Sequence, residues 1–149
     1  MAVTFNDLWQ AHPANNGIPS PCTNATGLPN FENQCAIKLG LSLQRAGVDM
    51  SSYQKAKCCW FGHAEKHVLR AEELAAWLKS RPELFGPVER LKLTSAQAFL
   101  GKQGIVLFKN FWGPGLQGDH IDVWNGAELS DGEPNYFERS QEVWFWEVD

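Results

Sequence analysis

The chain has 149 residues, of which 44% are hydrophobic and 20% charged, and a formal net charge of −4. This length and composition are typical of one globular domain, so we expect residues 1–149 to form a single domain. No run of Lys or Arg is present, which argues against nucleic-acid binding. The sequence also lacks an apolar stretch of transmembrane length and the pattern of a secretory signal, so we expect no membrane insertion, and any work outside the cytosol would need a signal-peptide-independent route.

The first predicted element is a short helix that begins after Thr4 and turns Phe5, Leu8 and Trp9 inward. Asp7 lies three residues after Thr4, which is the spacing of a capping box. Residues 12–29 are rich in proline and asparagine. This composition predicts an irregular surface loop that is long enough to have a functional role.

The second predicted helix contains the candidate nucleophile. Asn33 is the expected cap, which places Cys35 at about the second helical position, and Gly47 ends the helix. The positive end of a helix dipole favours a thiolate over a thiol, and only the thiolate is an effective nucleophile. Cys35 is therefore predicted to be a reactive cysteine at a helix N-terminus.

The rest of the chain predicts short helices followed by an antiparallel sheet, and therefore an α+β fold. Residues 71–78 have helical periodicity, and 111–115 read as a loop because of their Gly and Pro content. The segment 58–67 fits no single element. The predicted short helix and the strands are 95–100, 105–108, 120–124, 127–130 and 142–148.

A predicted hairpin contains the candidate base. Asn125-Gly126 between alternating segments favours a two-residue turn, and counting from that turn places His120 opposite Asp131. An acid in this position fixes the tautomer of the imidazole and stabilises its protonated form. Asp122 points to the same face and is the alternative acid. The assignment depends on the register, since a slip by one residue would move Asp131 to the other face.

Each of these residues also has a structural interpretation, since single cysteines and strand histidines are usually core residues. Cys58, Cys59, His63 and His67 could in principle bind zinc, but their spacing departs from the usual pattern of paired cysteines. We therefore expect no metal and no cofactor. A disulfide between Cys22 and Cys58 or Cys59 stays open.

Five segments, in order, resemble the type VI secretion amidase effectors of the fourth family. Any one of them is a weak signal, whereas all five together are specific, and they cover nearly the whole chain. The segments are 4–9, 33–38, 67–75, 118–126 and 143–146.

This resemblance implies a papain-like, NlpC/P60-type fold with N-terminal helices packed on an antiparallel sheet. It also implies a Cys-His-Asp triad, with Cys35 as nucleophile, His120 as base and Asp131 as orienting acid. The implied reaction is cleavage of the bond between D-glutamate and meso-diaminopimelate in peptidoglycan stems. The implied partners are the type VI secretion machinery, which delivers the toxin to the periplasm of a rival cell, and a cognate immunity protein. A papain-like acyltransferase and a non-catalytic cell-wall binding module are the alternatives.

Overall fold

The computed structural model describes residues 3–18, 21, 34–53, 70–112 and 118–149. Within these ranges, five α-helices and four β-strands follow one another along the chain, with 3₁₀ turns at Pro13–Asn16 and Ala96–Phe99. The helices are α1 (Phe5–Ala11), α2 (Cys35–Arg45), α3 (Ala71–Lys79), α4 (Pro82–Phe85) and α5 (Tyr136–Arg139). The strands are β1 (Glu89–Lys92), β2 (Gly104–Trp112), β3 (Gly118–Trp124) and β4 (Glu142–Glu147).

The four strands form one antiparallel sheet in the order β1-β4-β2-β3. Alternate residues of β2 face opposite sides, as the two-residue period of a strand requires. Ile105 and Leu107 face the core formed with α1, α2 and α3, whereas Val106 and Phe108 face a second core beneath α5. The predicted α+β fold is confirmed. Strand β3 lies at an edge of the sheet, and this edge holds the candidate site.

Local sequence signals explain the first two helices. The side chain of Thr4 accepts a hydrogen bond from the N–H of Asp7 at 3.2 Å and so caps α1 as predicted. Helix α2 begins one residue later than the predicted cap implies, because Gln34 is the N-cap and Cys35 the first helical residue. Gly47 has φ +94° and follows the helix end, as predicted for a residue with left-handed backbone.

Three elements of the structure, β1, α4 and α5, were not predicted from the sequence. Strand β1 contains one apolar residue, Leu91, and its other three residues are charged. Such a strand at an exposed edge of the sheet shows no alternation of apolar and polar residues that would predict it. Helices α4 and α5 have four residues each and are too short for a helical period. Strand β2 continues to Trp112, so the prediction of a loop from residue 111 is wrong at its start.

The predicted hairpin after β3 is also wrong in its turn and its return strand. The side chain of Asn125 accepts hydrogen bonds from the N–H groups of Ala127 and Glu128 at 3.0 and 2.7 Å, which lengthens the turn. Trp124 consequently pairs with Leu129, as one isolated bridge, instead of with Ala127. This two-residue shift moves Asp131 away from its predicted position opposite His120.

Several sequence predictions fall outside the described residues. These are the cap at Asn33, the cysteines 22, 58 and 59, and the histidines 63 and 67. Within the described ranges, no helix combines the length and the apolar character needed to cross a membrane.

Candidate active site

Cys35 lies at the first position of α2 and is 5% exposed. The N-cap residue of this helix, Gln34, makes no capping hydrogen bond through its side chain. The N–H groups of a first helical turn have no partner within the helix and carry the positive end of the dipole. Residues 35–43 of α2 are all buried, so the thiol is held in a fixed place. The start of α2 can therefore stabilise negative charge both on the thiolate and on an oxygen bound next to it.

His120 projects from β3 into an aromatic setting. Its ring stacks on Phe108, its partner across the β2–β3 ladder, with centroids 6.1 Å apart and an interplanar angle of 14°. The ring of Tyr136 meets it edge-on at 5.4 Å. With 6% exposure, the imidazole has little freedom to rotate. Two elements, β2 and α5, thus fix the plane of the candidate base.

His120 connects the thiol to a buried acid. Its side chain hydrogen-bonds to that of Cys35, and its Nε2 donates to Oδ2 of Asp122 at 2.9 Å. Burial alone would lower the pKa of His120. The hydrogen bonds to Asp122 and Cys35 and their charges outweigh burial and raise that pKa to about 10. His120 is therefore protonated at neutral pH, and its imidazolium lies beside the sulfur of Cys35.

Asp122 is fully buried, and its carboxylate accepts several hydrogen bonds. The N–H of Val123 donates to Oδ1 at 2.7 Å, and the N–H of Asp131 donates to Oδ2 at 3.0 Å, beside His120. A buried carboxylate is tolerated only when its lone pairs are satisfied in this way. Asp122 is thus built into the fold with its carboxyl group facing the imidazole of His120.

The structure therefore corrects the predicted contact between Asp131 and His120. The acid in contact with the ring is Asp122, which was the alternative in the sequence. Asp131 contacts Asp122 through its backbone N–H. The cause is the longer turn at Asn125, which pairs Val123 with Ser130 through the N–H of Ser130 at 3.1 Å. A shift of two residues keeps Asp131 on the same face, and this parity explains why it still reaches the site.

The carboxylate of Asp131 forms an ion pair with Lys38 of α2 at 2.5 Å. The side chain of Lys38 is 7% exposed and that of Asp131 is 28% exposed. The pair joins the helix that contains Cys35 to the segment that follows β3. Lys38 was not among the predicted site residues, although its place three residues after Cys35 puts both on neighbouring helical positions.

Replacing Lys38 by Met should lower the free energy of unfolding by about 1–2 kcal/mol. This is less than the full cost of breaking a buried pair, because Asp131 is partly exposed and can regain water. Urea denaturation checks this value. The double variant Lys38→Met/Asp131→Asn should lose little more than Lys38→Met alone, since the two replacements remove one shared interaction. Fully additive losses would contradict the coupling.

A second histidine, His12, was also missed by sequence reasoning. It lies directly after α1, is 1% exposed, and has its Nε2 at 3.9 Å from Oδ1 of Asp122. A histidine before a proline-rich loop gives no signal in the sequence that would link it to β3.

No group of His, Cys, Asp or Glu in the described part of the chain is arranged to hold a metal ion.

A buried cysteine at a helix N-terminus, bonded to a strand histidine that a carboxylate holds from its other side, defines a cysteine hydrolase of the papain-like class. The comparisons with known proteins identify the family within this class. A model of the family described as type VI secretion system (T6SS), amidase effector protein 4, or Tae4, matches residues 31–146. The chain belongs to the Tae4 family.

Solved structures of effectors with this name have the same fold. The chain is 20% identical to the effector in a Tae4/Tai4 effector–immunity structure from Salmonella typhimurium, with a TM-score of 0.75 and 100% of both chains covered. It is 21% identical to that in a Tae4-Tai4 complex from Enterobacter cloacae, with a TM-score of 0.67 and the same coverage. No curated protein matches the chain.

The family resemblance and the papain-like, NlpC/P60-type fold expected from the sequence are thereby confirmed. The protein is a peptidoglycan amidase of the cysteine type and a type VI secretion effector, a class of toxin that is delivered into target cells.

Proposed function

We propose that this effector hydrolyses the bond between D-glutamate and meso-diaminopimelate in peptidoglycan stems, with Cys35 as nucleophile and His120 as acid and base. The observation that supports this most directly is the continuous hydrogen-bonded chain from Cys35 through His120 to Asp122. It supplies a nucleophile, a proton donor and a group that orients the donor. Family membership supplies the substrate class.

In the first step, the thiolate of Cys35 attacks the γ-carbonyl carbon of D-glutamate and forms a C–S bond. The backbone N–H of Cys35, at the positive end of α2, is placed to hold the developing oxyanion. The C–N bond then breaks, and the imidazolium of His120 donates its proton to the leaving amine. Because Asp122 occupies Nε2, Nδ1 is the nitrogen available for this transfer.

In the second step, neutral His120 takes a proton from water as the oxygen attacks the thioester carbon. The C–S bond breaks, Cys35 leaves as thiolate, and the γ-carboxylic acid of D-glutamate is released and loses its proton to solvent. Asp122 stabilises the imidazolium that this step regenerates, without taking the proton itself. The surrounding rings of Phe108 and Tyr136 keep the imidazole aligned for both transfers.

The proposed site of action is the periplasm of the target cell, where peptidoglycan stems are accessible. A toxin with this activity requires protection of the producing cell. The similar structures include effector–immunity complexes. We accordingly propose a cognate immunity protein that covers the site around Cys35 and His120 of this chain.

Digestion of purified stem peptides, read by mass spectrometry, tests the substrate. The wild-type protein should release products that end at D-glutamate and begin at diaminopimelate. A stem in which D-glutamate is linked through its α-carboxyl has the same composition and should stay intact, because the attacked carbonyl is displaced. Cleavage at another bond, or equal cleavage of both stems, would contradict the proposed specificity.

A further inference from the structure

His12 is a buried imidazole that the proposed mechanism does not use. Its Nδ1 accepts a hydrogen bond from the N–H of Ala14 at 3.2 Å. A nitrogen that accepts carries no proton, so the neutral ring must carry its proton on Nε2. In the described part of the chain, that Nε2 is buried and has no hydrogen-bond partner. The backbone thus fixes the tautomer of His12 and leaves one donor unused.

The unused donor lies near the carboxylate oxygen of Asp122 that does not contact His120 and that also accepts from the N–H of Val123. Nε2 of His12 is 3.9 Å from Oδ1 of Asp122, whereas His120 bonds to Oδ2. The two imidazoles therefore lie beside different oxygens of one buried carboxylate. A donor at this distance is too far for a full hydrogen bond in the free protein, and such contacts often tighten when substrate binds.

His12 is anchored to both sides of the site. The side chain of Asn16 donates to its carbonyl oxygen at 3.0 Å. The side chain of Asn15 bonds to Ser130 at 2.8 Å, next to Asp131, and Ser42 of α2 bonds to the carbonyl of Leu8 in α1 at 2.6 Å. The segment that contains His12 is therefore held against both α2 and the chain that follows β3.

Burial, more than the surrounding charges, favours the neutral form of His12. Burial lowers its pKa most strongly. The charges of Asp122 and Asp131 oppose this effect, while Lys38 and His120 add to it. A neutral His12 adds a donor without a second positive charge that would compete with His120 for Asp122. The site thus separates a charged imidazole from a neutral one.

We propose that His12 is a positioning residue, which holds Asp122 through its Nε2–H and thereby fixes the ring of His120. This role rests on the proposed function of Cys35 and His120. It predicts that the donor at Nε2 matters for the rate, and that the acceptor at Nδ1 matters for the local fold.

Two variants separate these atoms. Asn at position 12 keeps an acceptor near the place of Nδ1 but loses the donor, whereas Gln keeps a donor near the place of Nε2. We expect His12→Asn to lower kcat by about 10–100-fold with little change in KM. This is the loss typical in metalloenzymes when a residue that hydrogen-bonds to a metal ligand is replaced, which is an analogous orienting role. We expect His12→Gln to retain kcat within about threefold. Introduced with Asp122→Asn, His12→Asn should cause no further loss, since it acts through Asp122.

The rate at which iodoacetamide alkylates Cys35, mapped by peptide mass spectrometry, gives a second readout that needs no peptidoglycan. It should fall in His12→Asn and not in His12→Gln. If the wild type is alkylated rapidly but cleaves no stem, the proposed substrate fails and alkylation alone decides the role of His12. Equal rates in His12→Asn and wild type, equal losses in both variants, or a loss that persists with Asp122→Asn would overturn the proposal.

Discussion

Replacing Cys35 by Ala should lower kcat/KM for stem cleavage by about 10⁴-fold or more, the scale seen when a hydrolase loses its nucleophile. Without the sulfur, no thioester can form, and the imidazolium of His120 has no thiolate beside it. Cys35 is small and buried at a helix start, so the fold should persist. Mass spectrometry of digested stems gives the rate, and circular dichroism and thermal melting report the fold.

Ser42→Ala is a matched control for this variant. Ser42 lies on the same helix and is fully buried, and its hydroxyl bonds to the carbonyl of Leu8, away from the thiol. Its loss should lower the melting temperature and, because this bond helps to anchor the segment of His12, lower kcat by no more than about tenfold, far less than Cys35→Ala. Cleavage by Cys35→Ala at a rate near that of the wild type would remove Cys35 as nucleophile. It would favour a non-catalytic or differently catalysed role for the site.

The parts of the site that could be predicted from the sequence depend on local signals. The cap at Thr4, the end of α2 at Gly47 and the place of Cys35 at a helix start all follow from short-range rules of helix termini. The buried strand that includes Ile105 follows from its apolar run. These features need no knowledge of tertiary contacts.

The carboxylate that contacts His120 could not be predicted from the sequence, because the register depends on one side chain in a turn. An Asn-Gly pair favours a two-residue turn, but Asn125 instead accepts two backbone N–H groups, and the carbonyl of Gly126 accepts the N–H of Gly101. A contact with a distant segment thus favours the longer turn. The sequence therefore indicates the right face of the strand but not the residue in contact. Asp122 and Asp131 lie on the same face, and only the register decides which of them touches His120.

His12 and Lys38 could not be assigned to the site at all from sequence. Each reaches a carboxylate that lies about a hundred residues away along the chain, and this proximity arises only when α1 and α2 pack on the edge of the sheet. Strand β1 failed for a related reason, because its pairing partner β4, and not its own sequence, makes it a strand.

The replacements Asp122→Asn and Asp131→Asn should differ in their effects on activity, and their ranking tests which acid orients His120. We expect Asp122→Asn to lower kcat/KM by about 10³–10⁴-fold, since loss of the carboxylate both misorients the imidazole and destabilises its protonated form. Asp131→Asn keeps the N–H that donates to Asp122 and should lower kcat/KM by only about tenfold. The opposite ranking would return the orienting role to Asp131.

The pH dependence of the Asp122 variant adds a second criterion. Because Asp122 helps raise the pKa of His120 to about 10, its loss should move the basic limb of the kcat/KM profile to lower pH.

The raised pKa of His120 also increases the free energy of unfolding. This increase is complete below the pKa of about 6.5 that the imidazole has in the unfolded chain, and it is lost as pH rises through about 10. The wild type should therefore lose more unfolding free energy than Asp122→Asn between about pH 6 and about pH 9. Equal losses in urea titrations at the two pH values would show that Asp122 does not hold the imidazolium, whatever the variant does to the rate.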